Sequence, residues 1–167
     1  MRFKKEREYD HSLESIIGLF LENDEEVYSM DQLENVTQWK TIKDEDLGDR
    51  RVGIKEWCAH AQIPKALQHI ISPRMLTWYE HSEWNRNTKI YRFRIEPFFL
   101  KKHVKCKGQT AYVVRGDNRC ARVFEIELVV DIPVFGPMFE KVVMEHLRKN
   151  EDQDFKLTVQ IAKKHLG

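Results

Sequence analysis

Two pairs of ionisable side chains have the spacing needed for proton transfer. His81 and Glu83 are two residues apart, and Glu56 and His60 four apart, so in a strand each pair falls on one face. An imidazole and a carboxylate act as general acid and base when they converge on a bound molecule with shifted pKa values. On a solvated face the same pairs only keep a protein soluble. Arg122 shares a face with Phe124, Ile126, Leu128, Val130 and Ile132, while His146 lies beside Val142, Val143 and Leu147. Each is either a polar handle inside a cavity or a side chain at the margin of its element reaching water; the second is the simpler reading.

Metal chemistry has thinner support. Cys58-Ala59-His60 and His103-Val104-Lys105-Cys106 offer two ligands each, whereas structural zinc sites repeat tighter pairs. The cysteines Cys58, Cys106 and Cys120 read as reduced structural thiols in strands. No metal and no other cofactor is expected. Gly-x-Ser-x-Gly, His-Glu-x-x-His, Walker A and Gly-x-Gly-x-x-Gly patterns are all absent, so no catalytic residue is assigned.

Lys101, Lys102, His103, Lys105 and Lys107 directly follow Pro97-Phe98-Phe99-Leu100. An apolar tip beside lysines is a feature of transient membrane contact. The alternative is an edge strand whose lysines deter pairing with other chains.

Composition narrows the classes. The 167 residues carry 28 Lys+Arg against 27 Asp+Glu, a net charge of +1, which argues against a nucleic-acid partner. A hydrophobic fraction of 41% is enough for a core. The longest apolar runs, such as Ile16-Ile17-Gly18-Leu19-Phe20-Leu21, fall far short of the ~20 residues of a membrane helix. The charged start, Met1 to Glu8, has no apolar segment behind it, so no export signal is read and a cytoplasmic location is expected. One domain over residues 1–167 follows from length and the absence of linkers or repeats.

The elements that position these groups are legible from period and punctuation. Alternation over 2–9 predicts a charged edge strand. Ser12 then caps a helix whose apolar face is Leu13, Ile16, Ile17, Phe20 and Leu21, followed by a short helix over 25–33. Strands are expected near 37–46, 50–60, 76–85, 88–99, 103–114 and 120–132, with a covering loop or short helix at 61–74. Past Gly136-Pro137 a helix over 137–165, about 40 Å long, carries the stripe Phe139, Val142, Val143, Leu147, Phe155, Thr158 and Ile161. A helix of that length needs a curved sheet wrapped along it.

This order, with Glu26–Val36 after the first helix and Ile132-Pro133-Val134-Phe135-Gly136-Pro137-Met138-Phe139-Glu140 leading into the last, resembles the helix-grip fold of the START-like, or Bet v 1-like (SRPBCC), superfamily. The strand Trp78-Tyr79-Glu80-His81-Ser82-Glu83-Trp84 adds a similarity to its DUF2505 family. The resemblance implies an α+β architecture in which a curved antiparallel sheet wraps around a long C-terminal helix. It also implies a cavity for a small apolar or amphipathic, lipid-like ligand. Some branches cyclise or hydrolyse small molecules, so a cavity His/Glu pair is the enzymatic alternative; a protein-interaction module with a filled core is the third. The expected interior residues are Trp78, Phe93, Phe124, Phe139 and Val143, with Cys58 as a small interior position. Ile63, Leu67 and Ile70 are the expected gate, beside the 22–36 segment.

Overall fold

The computed structural model describes residues 1–29, 32–33, 36–59 and 77–167. The chain opens with β1 (Arg2–Tyr9), then α1 (Leu13–Ile17), one wide π-helical turn (Gly18–Glu22) and α2 (Asp24–Val27). Six strands follow: β2 (Val36–Asp46), β3 (Arg50–Ala59), β4 (Thr77–Asn85), β5 (Ile90–Pro97), β6 (Val104–Gly116) and β7 (Arg119–Val130). Helix α3 (Gly136–Leu166) ends the described chain but for Gly167. Ser12 caps α1 as its sequence implies, its Oγ accepting the Ser15 N–H at 3.2 Å. Of the expected 25–33 helix, α2 covers Asp24–Val27 and the chain leaves it at Tyr28, while residues 30–31 lie outside the described residues.

The seven strands form one antiparallel sheet in the order β1-β7-β6-β5-β4-β3-β2. Strand β1 is an edge, as its charges suggested. The lysines of β6 do not guard an edge: β6 lies between β5 and β7, and Lys105 and Lys107 are exposed on its outer face. Alternation on β7 turns Cys120, Arg122, Phe124, Ile126, Leu128 and Val130 inward, and cross-strand register carries that inner face on through Thr110, Phe93 and Ser82.

Two packed clusters hold the sheet to the helices. One joins Tyr9, Leu13, Ile16, Ile17, Phe20, Trp84 and Cys120 to Ile161 and Ala162 of α3. The other joins Cys106, Ile126, Leu128 and Val130 to Met144, with Phe139 and Leu147 half-buried against it. Helix α3 turns Phe139, Leu147, Phe155, Thr158 and Ile161 of its expected stripe inward, but not Val143. Val143 is 37% exposed, and Met144, at 1%, takes the inward place. The apolar stripe is also broken at its centre by Glu151, which is buried.

Gly108 is required by close packing. A Cβ there would lie 2.4 Å from the Phe93 ring and 2.5 Å from the Glu125 carbonyl oxygen. Gly108→Ala is expected to cost ~1–3 kcal/mol, since a backbone carbonyl cannot swing away. Urea denaturation measures it, and an unchanged midpoint would mean that the sheet adjusts freely at this point.

Candidate ligand-binding site

Between the two clusters the inner face of the sheet and the middle of α3 stand apart, leaving a cavity of about 410 Å³. That volume falls in the range of small-molecule sites. Its sheet wall is aromatic. Phe93 and Phe124 lie nearly parallel, with centroids 6.0 Å apart at 13°, and Trp84 meets Tyr112 edge-on at 5.9 Å. Toward the β2 edge, Trp39 and Trp57 stack at 5.7 Å and 19°. Leu147, Glu151, Asp154 and Thr158 form the α3 side, and Phe20, Leu21, Asp24 and Tyr28 close the end beneath α1 and α2.

Two polar groups are built into this apolar chamber. In the first, the Tyr91 hydroxyl donates to Glu80 Oε1 at 2.5 Å. Burial raises the Glu80 pKa from its ordinary value, opposed by the Tyr91 hydrogen bond and the Lys55 charge. Burial and the Glu80 charge push the Tyr91 phenol well up. Lys55, opposite Glu80 in the β3–β4 register, is held by Asp24 at 2.5 Å and lies 4.8 Å over the Trp39 ring.

The second group ties the sheet to the centre of α3. Arg7 and Arg122 are directly opposed on β1 and β7, a repulsive placement by itself. Glu151 lies between them, accepting from Arg7 Nη2 at 2.9 Å and Arg122 Nη2 at 3.2 Å. Asp154 takes Arg122 Nη1 at 2.7 Å, and Asp152 pairs with Arg7. Arg122 is thus a buried member of the cavity wall and does not reach water as its simpler reading held. The cavity phenols of Tyr9, Tyr28 and Tyr112 are likewise raised by burial and keep their protons at neutral pH.

The expected site residues separate accordingly. Phe93 and Phe124 come together on the cavity wall. Trp78 shares their inner face, opposite Trp57, beyond the residues that border the cavity. Phe139 packs in the second cluster, and Val143 faces outward because α3 presents Met144 instead. Ile63, Leu67 and Ile70, like His60, lie outside the described residues. Cys58 falls on the side of β3 away from Lys55 and Trp57, so it is no interior position.

His81, Glu83 and Glu56 do not line this chamber. His81 stands 3.2 Å from Glu96 on the outer face, where Glu83 also lies, and Glu56 is on that face too. Burial raises the thiols of Cys106 to about 12 and of Cys120 to about 11, which makes them poor nucleophiles. Among the described residues no cluster of three His, Cys, Asp or Glu could hold a metal.

Glu80 and Glu151 escaped the reading of the sequence as polar cavity groups. The available signal was the one that singled out Arg122: a charge recurring on an apolar face. Glu80 alternates with Trp78, Ser82 and Trp84, and Glu151 lies on the helical row of Leu147 and Phe155.

The raised Glu80 pKa has a measurable consequence. A group whose folded pKa exceeds its unfolded value contributes fully below the unfolded value, near 4, and loses that contribution as pH rises through the folded one. Glu80→Gln keeps an acceptor for Tyr91 and has no charge to bury. The variant is therefore expected to gain stability relative to the native protein between pH 4 and pH 7. Denaturant melts at both pH values test this, and a difference independent of pH would place the carboxyl in water.

A seven-stranded antiparallel sheet curved over one long C-terminal helix, with a chamber between them, is the helix-grip fold. The chain belongs to the DUF2505 family, described as a protein of unknown function, whose match spans residues 4–161. Solved structures share the fold at low identity. TTHA0849 from Thermus thermophilus is 19% identical with a TM-score of 0.71, over 98% of each chain. Norcoclaurine synthase from Thalictrum flavum is 15% identical with a TM-score of 0.69, over 99% of this chain and 87% of its own. The Zhui aromatase/cyclase from a Streptomyces species is 10% identical with a TM-score of 0.70, over 100% and 96%. No curated protein sequence matches the chain.

Proposed function

We propose that the chain is a single helix-grip domain that binds a small amphipathic molecule between sheet and α3. The observation that carries this reading is the aromatic chamber of about 410 Å³ with buried polar groups on its wall. Ring faces such as Phe93, Phe124 and Trp84 suit an apolar or flat aromatic body. Glu80, Tyr91 and Lys55 suit its polar end. Among the described residues, the buried Trp57 Nε1 and Arg122 Nε of the cavity wall have no hydrogen-bond partner, which supports a ligand that brings an acceptor. Native mass spectrometry of freshly purified protein should show an apolar adduct. Calorimetry with an apolar dye should show a negative heat-capacity change on binding. Leu147→Trp, which adds bulk at the α3 wall, should abolish both without unfolding the protein. Dye binding that survives this change would place the ligand elsewhere.

A second reading rests on the Glu80–Tyr91 pair. A carboxyl whose pKa burial raises, inside a ligand chamber and hydrogen-bonded to a phenol, is a group of the kind an enzyme uses to move a proton. The names of two fold neighbours, a synthase and an aromatase/cyclase, are compatible with such chemistry in this architecture. The adduct on Glu80→Gln separates the two readings. An adduct of different mass from that on the native protein marks turnover, and the same adduct marks carriage.

A further inference from the structure

Remote from α1 and α2, two loops at the start of α3 present apolar side chains to solvent. Val134 is 88% exposed, Phe135 56% and Met138 46%, all at the junction between β7 and α3. Phe98, 47% exposed, lies at the start of the β5–β6 loop and packs one side of its ring on Tyr79 at 4.8 Å. Strands β5, β6 and β7 are consecutive neighbours, so the two loops are rooted about 10 Å apart. They are also bonded together. Asp131 N–H donates to the His103 carbonyl at 2.7 Å, and His103 Nδ1 lies 2.8 Å from the Asp131 carbonyl.

The outward placement of these side chains is held against local preference. Val134 has φ +68° and Leu100 φ +57°, a left-handed backbone that a β-branched residue adopts only under constraint. The constraint is visible: Gly136 N–H bonds the Ile132 carbonyl at 2.8 Å, and Phe135 N–H bonds the Pro133 carbonyl at 2.8 Å. Gly136 itself is buried, with no room for a Cβ against the Val130 carbonyl oxygen at 2.4 Å.

The charge around this tip is positive. Residues 97–105 contain Lys101, Lys102 and Lys105 and no acid, and residues 131–138 contain only Asp131. Lys101 pairs with Glu96, whereas Lys102 and Lys105 have no carboxylate partner among the described residues. The positive end of α3 points the same way, with no acidic residue in its first turn.

We propose that this end of the molecule docks on an anionic lipid surface, with Val134, Phe135, Met138 and Phe98 entering the interface and Lys102 and Lys105 meeting the headgroups. Apolar tips combined with lysines give reversible interfacial binding, and no described helix is long and apolar enough to cross a membrane. The surface is separate from the cavity, so its test does not depend on what the cavity holds.

The test is co-sedimentation of the full chain with vesicles of phosphatidylcholine, with and without phosphatidylserine. Binding should require phosphatidylserine and weaken with salt. Val134→Asn combined with Phe135→Ser should reduce partitioning roughly tenfold or more. Asn tolerates the left-handed backbone, so the variant should keep its circular dichroism and any dye binding. Lys102→Glu with Lys105→Glu should remove the preference for phosphatidylserine. Absence of binding to either vesicle, or binding unaffected by the Val134/Phe135 variant, overturns the proposal. Concentration-dependent self-association that the same variant abolishes, with no vesicle binding, also overturns it and makes this tip a protein contact.

Discussion

Glu151→Leu is expected to destabilise the fold by about 3–5 kcal/mol, the range for removing one partner of a buried ion pair. The replacement is apolar and of similar bulk, so the loss is electrostatic rather than a cavity. Without Glu151, Arg7 and Arg122 face each other across β1 and β7 with Asp152 and Asp154 alone to neutralise them. Both of those acids are substantially exposed, with side chains 58% and 45% accessible, and so are weaker partners in a higher effective dielectric. Arg122, whose side chain is 9% accessible, remains buried beside Phe155. The double change Glu151→Leu with Arg122→Met is expected to be milder than Glu151→Leu alone, because it also removes the stranded cation. Chemical denaturation of the three variants reads this directly. Equal losses for the single and double variants would mean that Arg122 reaches water when Glu151 is gone.

Met144→Ala is expected to cost about 2–5 kcal/mol, and Val143→Ala about half a kcal/mol or less. Met144, fully buried, packs with Cys106, Ile126, Leu128 and Val130, whereas Val143 is exposed. Neighbouring residues on one helix thus separate by several kcal/mol, and the comparison measures the rotation of α3 about its axis. Similar losses at both sites would show that the helix is turned toward the stripe that includes Val143. Leu147, half-buried on the cavity wall, should fall between them.

These expectations show where local chemistry was sufficient. The helix-grip order came from features that act over a few residues. Alternation turned Arg122, Phe124, Ile126 and Leu128 to one side of β7, Ser12 capped α1, and Gly136-Pro137 began α3. Each strand lies within a few residues of its expected position because turns and period-two patterning need only neighbouring residues. Phe93 and Phe124 met on the cavity wall for the same reason: strand parity fixes a face once the sheet exists.

The tertiary structure decided what parity cannot express. Whether α3 presents Val143 or Met144 depends on a rotation that both residues fit by hydrophobicity, and packing of Met144 among β6 and β7 selects one. Whether His81 and Glu83 face a ligand or solvent depends on which side of the curved sheet the helix covers, and it covers the other side. Arg122 looked tolerable only near water because its partner, Glu151, is 29 residues away. Period and propensity are local, whereas the burial of a charge depends on a partner that only the closed fold brings within 3.2 Å.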